Sequence, residues 1–205
     1  RRRLLAKNLP ESAGLRLAVH YETSLYAGGD YYDSGKMGDD QWGFLVADAE
    51  GHSAPAAVMM ASGYFNPLTG YMNLKDSLSV AENMETTDGL FWPVPIVNVT
   101  NDVSGIKGAK RIALLDPNVE GNPVLAIQDV ESIDEATDDQ MKMMSEKIFA
   151  TTDTEHPGVK NWMSVGKTFI AGPIQVLNYS YFATDFAETF RTATEIMEYI
   201  EKNGW

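Results

Sequence analysis

The apolar residues of this chain form short helix-like and strand-like segments in irregular order, and this constrains the fold most. Leu15–Ser24 alternates apolar and polar residues, and Trp42–Asp48 is a short apolar run; both patterns predict strands. From Leu74 to Met84 the apolar residues recur every three or four positions, which predicts a helix. Because these segments do not repeat as regular strand–helix–strand units, we predict an α+β fold.

Three later segments predict further strands. Trp92–Thr100 is rich in β-branched residues but begins with prolines. Arg111–Glu131 contains two apolar runs around the turn-rich sequence DPNVEGNP, which predicts a hairpin. Lys167–Tyr179 reads as a strand with an irregularity at its Gly-Pro pair.

Three segments predict helices in addition to Leu74–Met84. Helix-forming residues follow Pro55, which suits a first helical turn. Asp138–Phe149 places its methionines on one helical stripe, which we interpret as core. The last helix has apolar residues at helical spacing, a capping box in the sequence TATE and Gly204 as terminator. The stripe residues are Met141, Met144 and Ile148 in the first of these two helices, and Phe190, Ala193, Met197 and Ile200 in the second.

Charge and composition exclude several classes of function. The net charge of −13 repels phosphate backbones, so we expect no nucleic-acid partner. No apolar run is long enough to span a membrane, and the basic N-terminal residues lack the apolar core of a signal peptide. With no cysteine for disulfides or thiolate chemistry, we expect a cytoplasmic protein without a membrane partner.

Two segments of the first 61 residues carry a metal-binding pattern. In AGGDYYD, a glycine pair gives a tight turn that presents Asp30. In VADAEGHSAPAAVMMA, Asp48 ends an apolar strand and Gly51 allows close approach to its carbonyl. Hard oxygen ligands on adjacent strand ends suit Mg²⁺ or Mn²⁺. The alternative is that these are ordinary turn residues.

These two segments resemble the metal-dependent serine/threonine protein phosphatases of the bacterial sporulation and stress-response branch. The resemblance covers about residues 4–61 and implies that Asp30, Asp48 and the Gly51 backbone hold a metal that activates water. Ser53 departs from the family, which commonly has glycine there. The family also has a T-D-G turn and a D-D pair later in its sequence. The same residues occur here at 87–89 and 138–139, but the sequence around them does not match the family's motifs. A complete phosphatase is therefore not predicted.

The longest resemblance is to the N-terminal domain of ATP sulfurylase (sulfate adenylyltransferase). It runs in order over about residues 56–205, through GYFNPLTGYMNLKDSLSVAENM, RIALLDPNVEGNP, FATTDTEHPGVKNW and FRTATEIMEYIEKNGW. The resemblance implies a PUA-like β pseudo-barrel with peripheral helices. The family joins ATP and sulfate in its next domain, through Q-x-R-N-x-x-H and H-x-G-H motifs that this chain lacks. We interpret His156 as a structural turn residue; the alternative is a phosphate contact.

Taken together, the two resemblances predict a chimaera with segments 1–61 and 62–205, in which the phosphatase-like segment supplies the barrel's N-terminal strands. Ala56–Ala61 fits either parent. We expect no turnover by the chain alone, no required cofactor and at most weak Mg²⁺ or Mn²⁺ binding. The expected partners are a second copy or a separate ATP sulfurylase catalytic domain. Two alternatives remain open: a reduced metal-dependent phosphatase, and a structural recombinant or designed chimaera with no ligand.

Overall fold

A computed structural model describes residues 30–38, 41–48, 53–116, 119–178, 182–185 and 187–204. The chain divides into two compact units, residues 1–50 with 198–205, and residues 51–197. In the first unit, β1 (Asp30–Gly38) and β2 (Gln41–Asp48) form an antiparallel hairpin. The strand predicted at Trp42–Asp48 is therefore confirmed, whereas the strand predicted at Leu15–Ser24 lies outside the described residues.

The second unit combines short helices with a six-stranded sheet, and α6 extends beyond it. In chain order the elements are α1 (Ser53–Ala61), β3 (Gly70–Tyr71), α2 (Leu74–Asn83), β4 (Val99–Thr100), β5 (Arg111–Leu115), β6 (Val124–Asp129), β7 (Ser132–Glu135), α3 (Asp138–Phe149), α4 (Pro157–Ser164), β8 (Thr168–Val176), α5 (Phe182–Asp185) and α6 (Ala193–Lys202). The predicted α+β class is confirmed.

The strand β8 pairs with four of the other five strands of the six-stranded sheet. Its first half pairs with β4 and β7, and its second half pairs with β6 and β3. The change of partners falls at Gly172, whose φ of 136° is open only to glycine without strain. This is the irregularity predicted from the Gly-Pro pair, and it lets one strand serve two parts of the sheet.

Three apolar clusters form the core of the second unit. The largest joins α2, α3 and α4 to β8 and includes the predicted stripe of Met141, Met144 and Ile148. The other two clusters pack different faces of α1 against the sheet and against the loop around Phe65. The helix α1, which fits either family by sequence, therefore packs within the second unit.

Two sequence predictions differ from the structure. In the segment Trp92–Thr100 only Val99–Thr100 forms strand, because Pro93 and Pro95 have no N–H to donate to a ladder. The last helix is found, but it begins at Ala193, so the predicted stripe residue Phe190 lies before it and the TATE box caps its start instead of lying inside it. None of its residues is buried, and Met197 is 54% exposed. Its apolar spacing thus does not mark a core face.

The predicted role of the N-terminal strands also finds no support. All six strands of the larger sheet come from residues 70–176, whereas β1 and β2 pair with each other. Among the described residues, no helix is long and apolar enough to cross a membrane.

Candidate functional site

The hairpin β1–β2 places the two predicted metal ligands opposite each other. Asp30 begins β1, Asp48 ends β2, and the two residues are register partners at the end of the ladder remote from its turn. Opposing residues of an antiparallel pair have Cα atoms about 4.5–5.5 Å apart. Two aspartates at such positions are close enough to ligate one cation between them.

The third predicted ligand, Gly51, lies outside the described residues. Two carboxylates and one carbonyl would fill half of an octahedral shell, and water would fill the rest. These ligands alone would not make a closed cage for a divalent cation, and the metal site stays a prediction. Such a cation would supply Lewis acidity and an activated water.

The later acidic residues serve local hydrogen bonds. In the T-D-G sequence, Thr86 Oγ1 donates to Asp88, and the Thr87 backbone N–H donates to Asp76 Oδ1 at 3.0 Å. Asp138 and Asp139 open α3, as predicted. Within the described parts of the chain, no group of three His, Asp or Glu residues is arranged to hold a metal ion.

An open cleft of about 500 Å³ lies between α2, β7 and α3, with Lys75 and Leu78 on its α2 side. Its other polar groups are engaged in local structure. Asn73 Oδ1 caps α2 by accepting from the Asp76 N–H, and Ser132 Oγ donates to Asp134 at 2.6 Å. Sequence reasoning did not anticipate this cleft, because its walls come from elements about sixty residues apart in the chain.

His156 has the structural role that we favoured from sequence. It is the N-cap of α4, where its Nδ1 accepts from the Val159 N–H at 3.4 Å. Its ring is buried and packs 5.6 Å from the ring of Phe149. Because the ring is buried, it has little surface with which to contact a phosphate, which is the alternative role considered from sequence.

Shifted pKa values also mark structural positions. Burial raises the pKa of Tyr71, which lies in the core cluster with Ile96. Hydrogen bonds from the Ser104 side chain and backbone hold the pKa of Asp102 below its ordinary value. The neighbouring Asp138 and then Glu135 raise the pKa of Lys167. These groups stabilise turns and packing rather than line one pocket.

Comparison with known families matches this architecture. The model of the family described as a PUA-like domain matches residues 48–179, which is more than half of the chain. The chain therefore belongs to the PUA-like domain family. The match includes α1 and all strands of the larger sheet.

Within that class, the chain is similar to sulfate adenylyltransferases. It is 61% identical over 153 residues to the sulfate adenylyltransferase of Alcanivorax borkumensis, covering 75% of this chain and 38% of that protein. It is 54% identical over 153 residues to that of Allochromatium vinosum, again covering 75% and 38%. The chain thus spans about 38% of the length of these relatives.

A solved structure that matches part of this chain is the hexameric APS kinase from Thiobacillus denitrificans. It is 21% identical, covers 73% of this chain and 24% of that chain, and has a TM-score of 0.47. The family match and the two sulfate adenylyltransferases support the predicted likeness to the N-terminal part of ATP sulfurylase. They give no support to the phosphatase resemblance of residues 4–61, which stays a prediction.

Proposed function

We propose that this chain is a non-catalytic, N-terminal PUA-like part of a sulfate adenylyltransferase, joined to a truncated phosphatase-like segment. The observation that carries the proposal is 61% identity over 153 residues to a protein of which only 38% is covered. The histidine motifs expected for binding nucleotide phosphates and sulfate do not occur in this sequence, whose three histidines are His20, His52 and His156. Its partner is the remainder of such an enzyme.

Without those histidine motifs, the sequence lacks the groups with which the family is expected to stabilise a transition state with spread phosphoryl charge. We therefore expect pyrophosphate release to stay at background when the chain is given ATP, Mg²⁺ and sulfate. The Alcanivorax borkumensis enzyme under the same conditions is the positive control. Sustained sulfate-dependent release by this chain would contradict the proposal.

A graft tests the scaffold role directly. Residues 56–205 replace the matching segment of the Alcanivorax borkumensis enzyme, and we expect the hybrid to keep sulfate-dependent pyrophosphate release. The control is the same graft with Gly172→Ala, which should disturb β8 and lose activity. A hybrid that folds but shows no activity would show that the segment cannot serve as this scaffold.

A second candidate is a reduced metal-dependent phosphatase, and the opposition of Asp30 and Asp48 is the observation that favours it. We infer only weak, millimolar-range Mn²⁺ binding, because Mg²⁺-like ions with few protein ligands keep most of their water. Calorimetry on the wild type, on Asp48→Asn and on the exposed control Asp129→Asn tests this. Tight binding lost only in Asp48→Asn, together with Mn²⁺-dependent phosphoester hydrolysis, would favour the phosphatase instead.

A further inference from the structure

The strand β5 forms an open edge of the six-stranded sheet. The order along the sheet is β3-β8-β6-β5, so within the described residues β5 pairs with β6 alone. Its sequence RIALL contains no proline and only one charged residue. The one bulge in this ladder comes from an extra residue in β6, since Leu114 and Leu115 are partners of Ala126 and Val124. An edge strand without these interruptions is a template for pairing with another strand.

The hydrogen bonds at both ends of β5 show which backbone groups face outward. Lys110 O accepts from the Val130 N–H, and the Asp116 N–H donates to Pro123 O. Because antiparallel strands alternate between inward and outward groups, the even-numbered residues bond to β6. The N–H and C=O groups of Arg111, Ala113 and Leu115 therefore point away from the sheet. These three residues are also exposed, and Leu115 is 52% exposed.

We propose that the β5 edge pairs with the β5 edge of a second copy, antiparallel about a two-fold axis at Ala113. This register opposes Ala113 to its own mate and Arg111 to the mate of Leu115. It pairs all three outward N–H and all three outward C=O groups of each strand, giving six hydrogen bonds. If the register between the two β5 strands is shifted by two residues in either direction, only four of these hydrogen bonds can form.

Side chains and charge fit the same register. Alanine, the smallest side chain in the strand, lies at the axis, and the two Arg111 residues are kept apart at opposite ends. The Arg111 stem lies beside the mate's exposed Leu115, while half-buried Ile112 faces the mate's Leu114 on the other side of the sheet. The chain carries a net charge of −13, which repels copies from each other, but β5 contains no acidic residue.

This inference does not depend on the proposed scaffold role. An occupant other than a second copy would leave the isolated chain monomeric. The first test is therefore the mass of the full chain by light scattering and sedimentation over a concentration series. We expect twice the monomer mass at high concentration; a monomer throughout would overturn the proposal.

Ala113→Pro tests the surface. It removes an outward N–H and leaves the bonds to β6 in place, as proline on an edge strand allows. We expect a folded monomer at concentrations where the wild type is dimeric. A variant that keeps its circular dichroism and melting temperature and stays dimeric would overturn the proposal.

Ala113→Cys tests the register and does not depend on the proline variant folding. The chain has no cysteine, and paired Cα atoms about 5.5 Å apart fall within disulfide range. We expect a disulfide-linked dimer on mild oxidation. The matched control is Gln175→Cys, on the same row of the sheet, whose mate would be about 24 Å away across five strand spacings. Equal cross-linking of the two variants, or none at Ala113→Cys, would refute the register.

Discussion

Single glycines decide whether the strands of the larger sheet can approach one another. A Cβ on Gly172 would lie 2.1 Å from Asp129 O, and a Cβ on Gly70 would lie 2.0 Å from Gly172 O. These neighbours are backbone atoms, which cannot move aside as the end of a long side chain can. The close approach of β3, β6 and β8 therefore requires residues without a Cβ, that is glycine, at these two positions.

We predict that Gly172→Ala destabilises the protein by at least about 3 kcal/mol, since it combines backbone strain with a collision. The matched control is Gly121→Ala, where φ is 82° but no atom lies within 4 Å of the added Cβ. That variant should lose only about 1 kcal/mol from its left-handed backbone. Urea unfolding measures both free energies, and equal losses would show that close approach has no part in the effect.

His156 offers a second residue-scale test, because its Nδ1 caps α4. Both His156→Asn and His156→Ala lose the packing on Phe149, but only asparagine keeps an acceptor for the Val159 N–H. We predict that the alanine variant is less stable than the asparagine variant by about 0.5–1 kcal/mol, the lower part of the range for caps, since the 3.4 Å bond is long. Identical denaturation midpoints would rule out a capping role.

At the scale of elements, α3 and α6 begin with the same device made from different residues. Thr137 and Gln140 form a reciprocal capping box at α3, with bonds of 2.9 and 3.2 Å. At α6, the Thr192 N–H donates to Glu195 at 2.7 Å, and the Glu195 N–H donates to Thr192 Oγ1 at 3.2 Å. The capping box at α6 contains the ionisable side chain of Glu195, whereas the box at α3 contains the neutral side chain of Gln140. A change of pH should therefore affect the two boxes differently.

We predict that acid weakens the capping box of α6 more than that of α3, because Gln140 stays neutral while Asp138 and Asp139 lose only the favourable charge of the first turn. The Thr192 backbone N–H and then its hydroxyl hold the pKa of Glu195 below its ordinary value. A lowered folded-state pKa gives a stabilisation that is present above the unfolded pKa and is lost as pH falls through the folded pKa. Amide exchange at Thr192 and Thr137, corrected for intrinsic pH dependence, measures the contrast. Equal protection changes at the two helices would contradict the assignment.

At the scale of the whole molecule, like-charge repulsion acts against the surface ion pairs. The chain has 29 acidic and 16 basic residues. The ion pairs Arg111–Asp129 and Lys167–Asp138 are exposed, so water and salt screen them strongly. Salt weakens both the repulsion between like charges and the attraction within the ion pairs. The larger of the two effects determines whether added salt raises or lowers the melting temperature.

We predict that the melting temperature rises as sodium chloride is added up to about 0.15 M, where the Debye length is about 8 Å. Arg111→Gln removes one ion pair and makes the net charge more negative, so its melting temperature should rise more steeply with salt. Calorimetric scans of both proteins measure this. A fall in melting temperature with salt would show that the ion pairs dominate.

The candidate sites differ in how far local sequence information reaches. Asp30 and Asp48 are predicted as metal ligands from a glycine turn and from the end of an apolar strand, and the metal site stays a prediction, although the two residues are register partners in the hairpin. The cleft between α2, β7 and α3 and the open edge at β5 could not be predicted. Each depends on which distant strands pair, and periodicity carries no information on pairing partners.

The sequence by itself determined the elements whose causes lie within a few residues. These include the methionine stripe of α3, the capping box before α6, the hairpin of β5 and β6, and the break at Gly172. Tertiary structure alone decided that β8 pairs with four other strands, that the proline-rich segment before Val99 stays irregular, and that no residue of α6 is buried. The physical reason is that burial and strand pairing are properties of contacts between distant parts of the chain, whereas capping, helical spacing and backbone strain act within single turns.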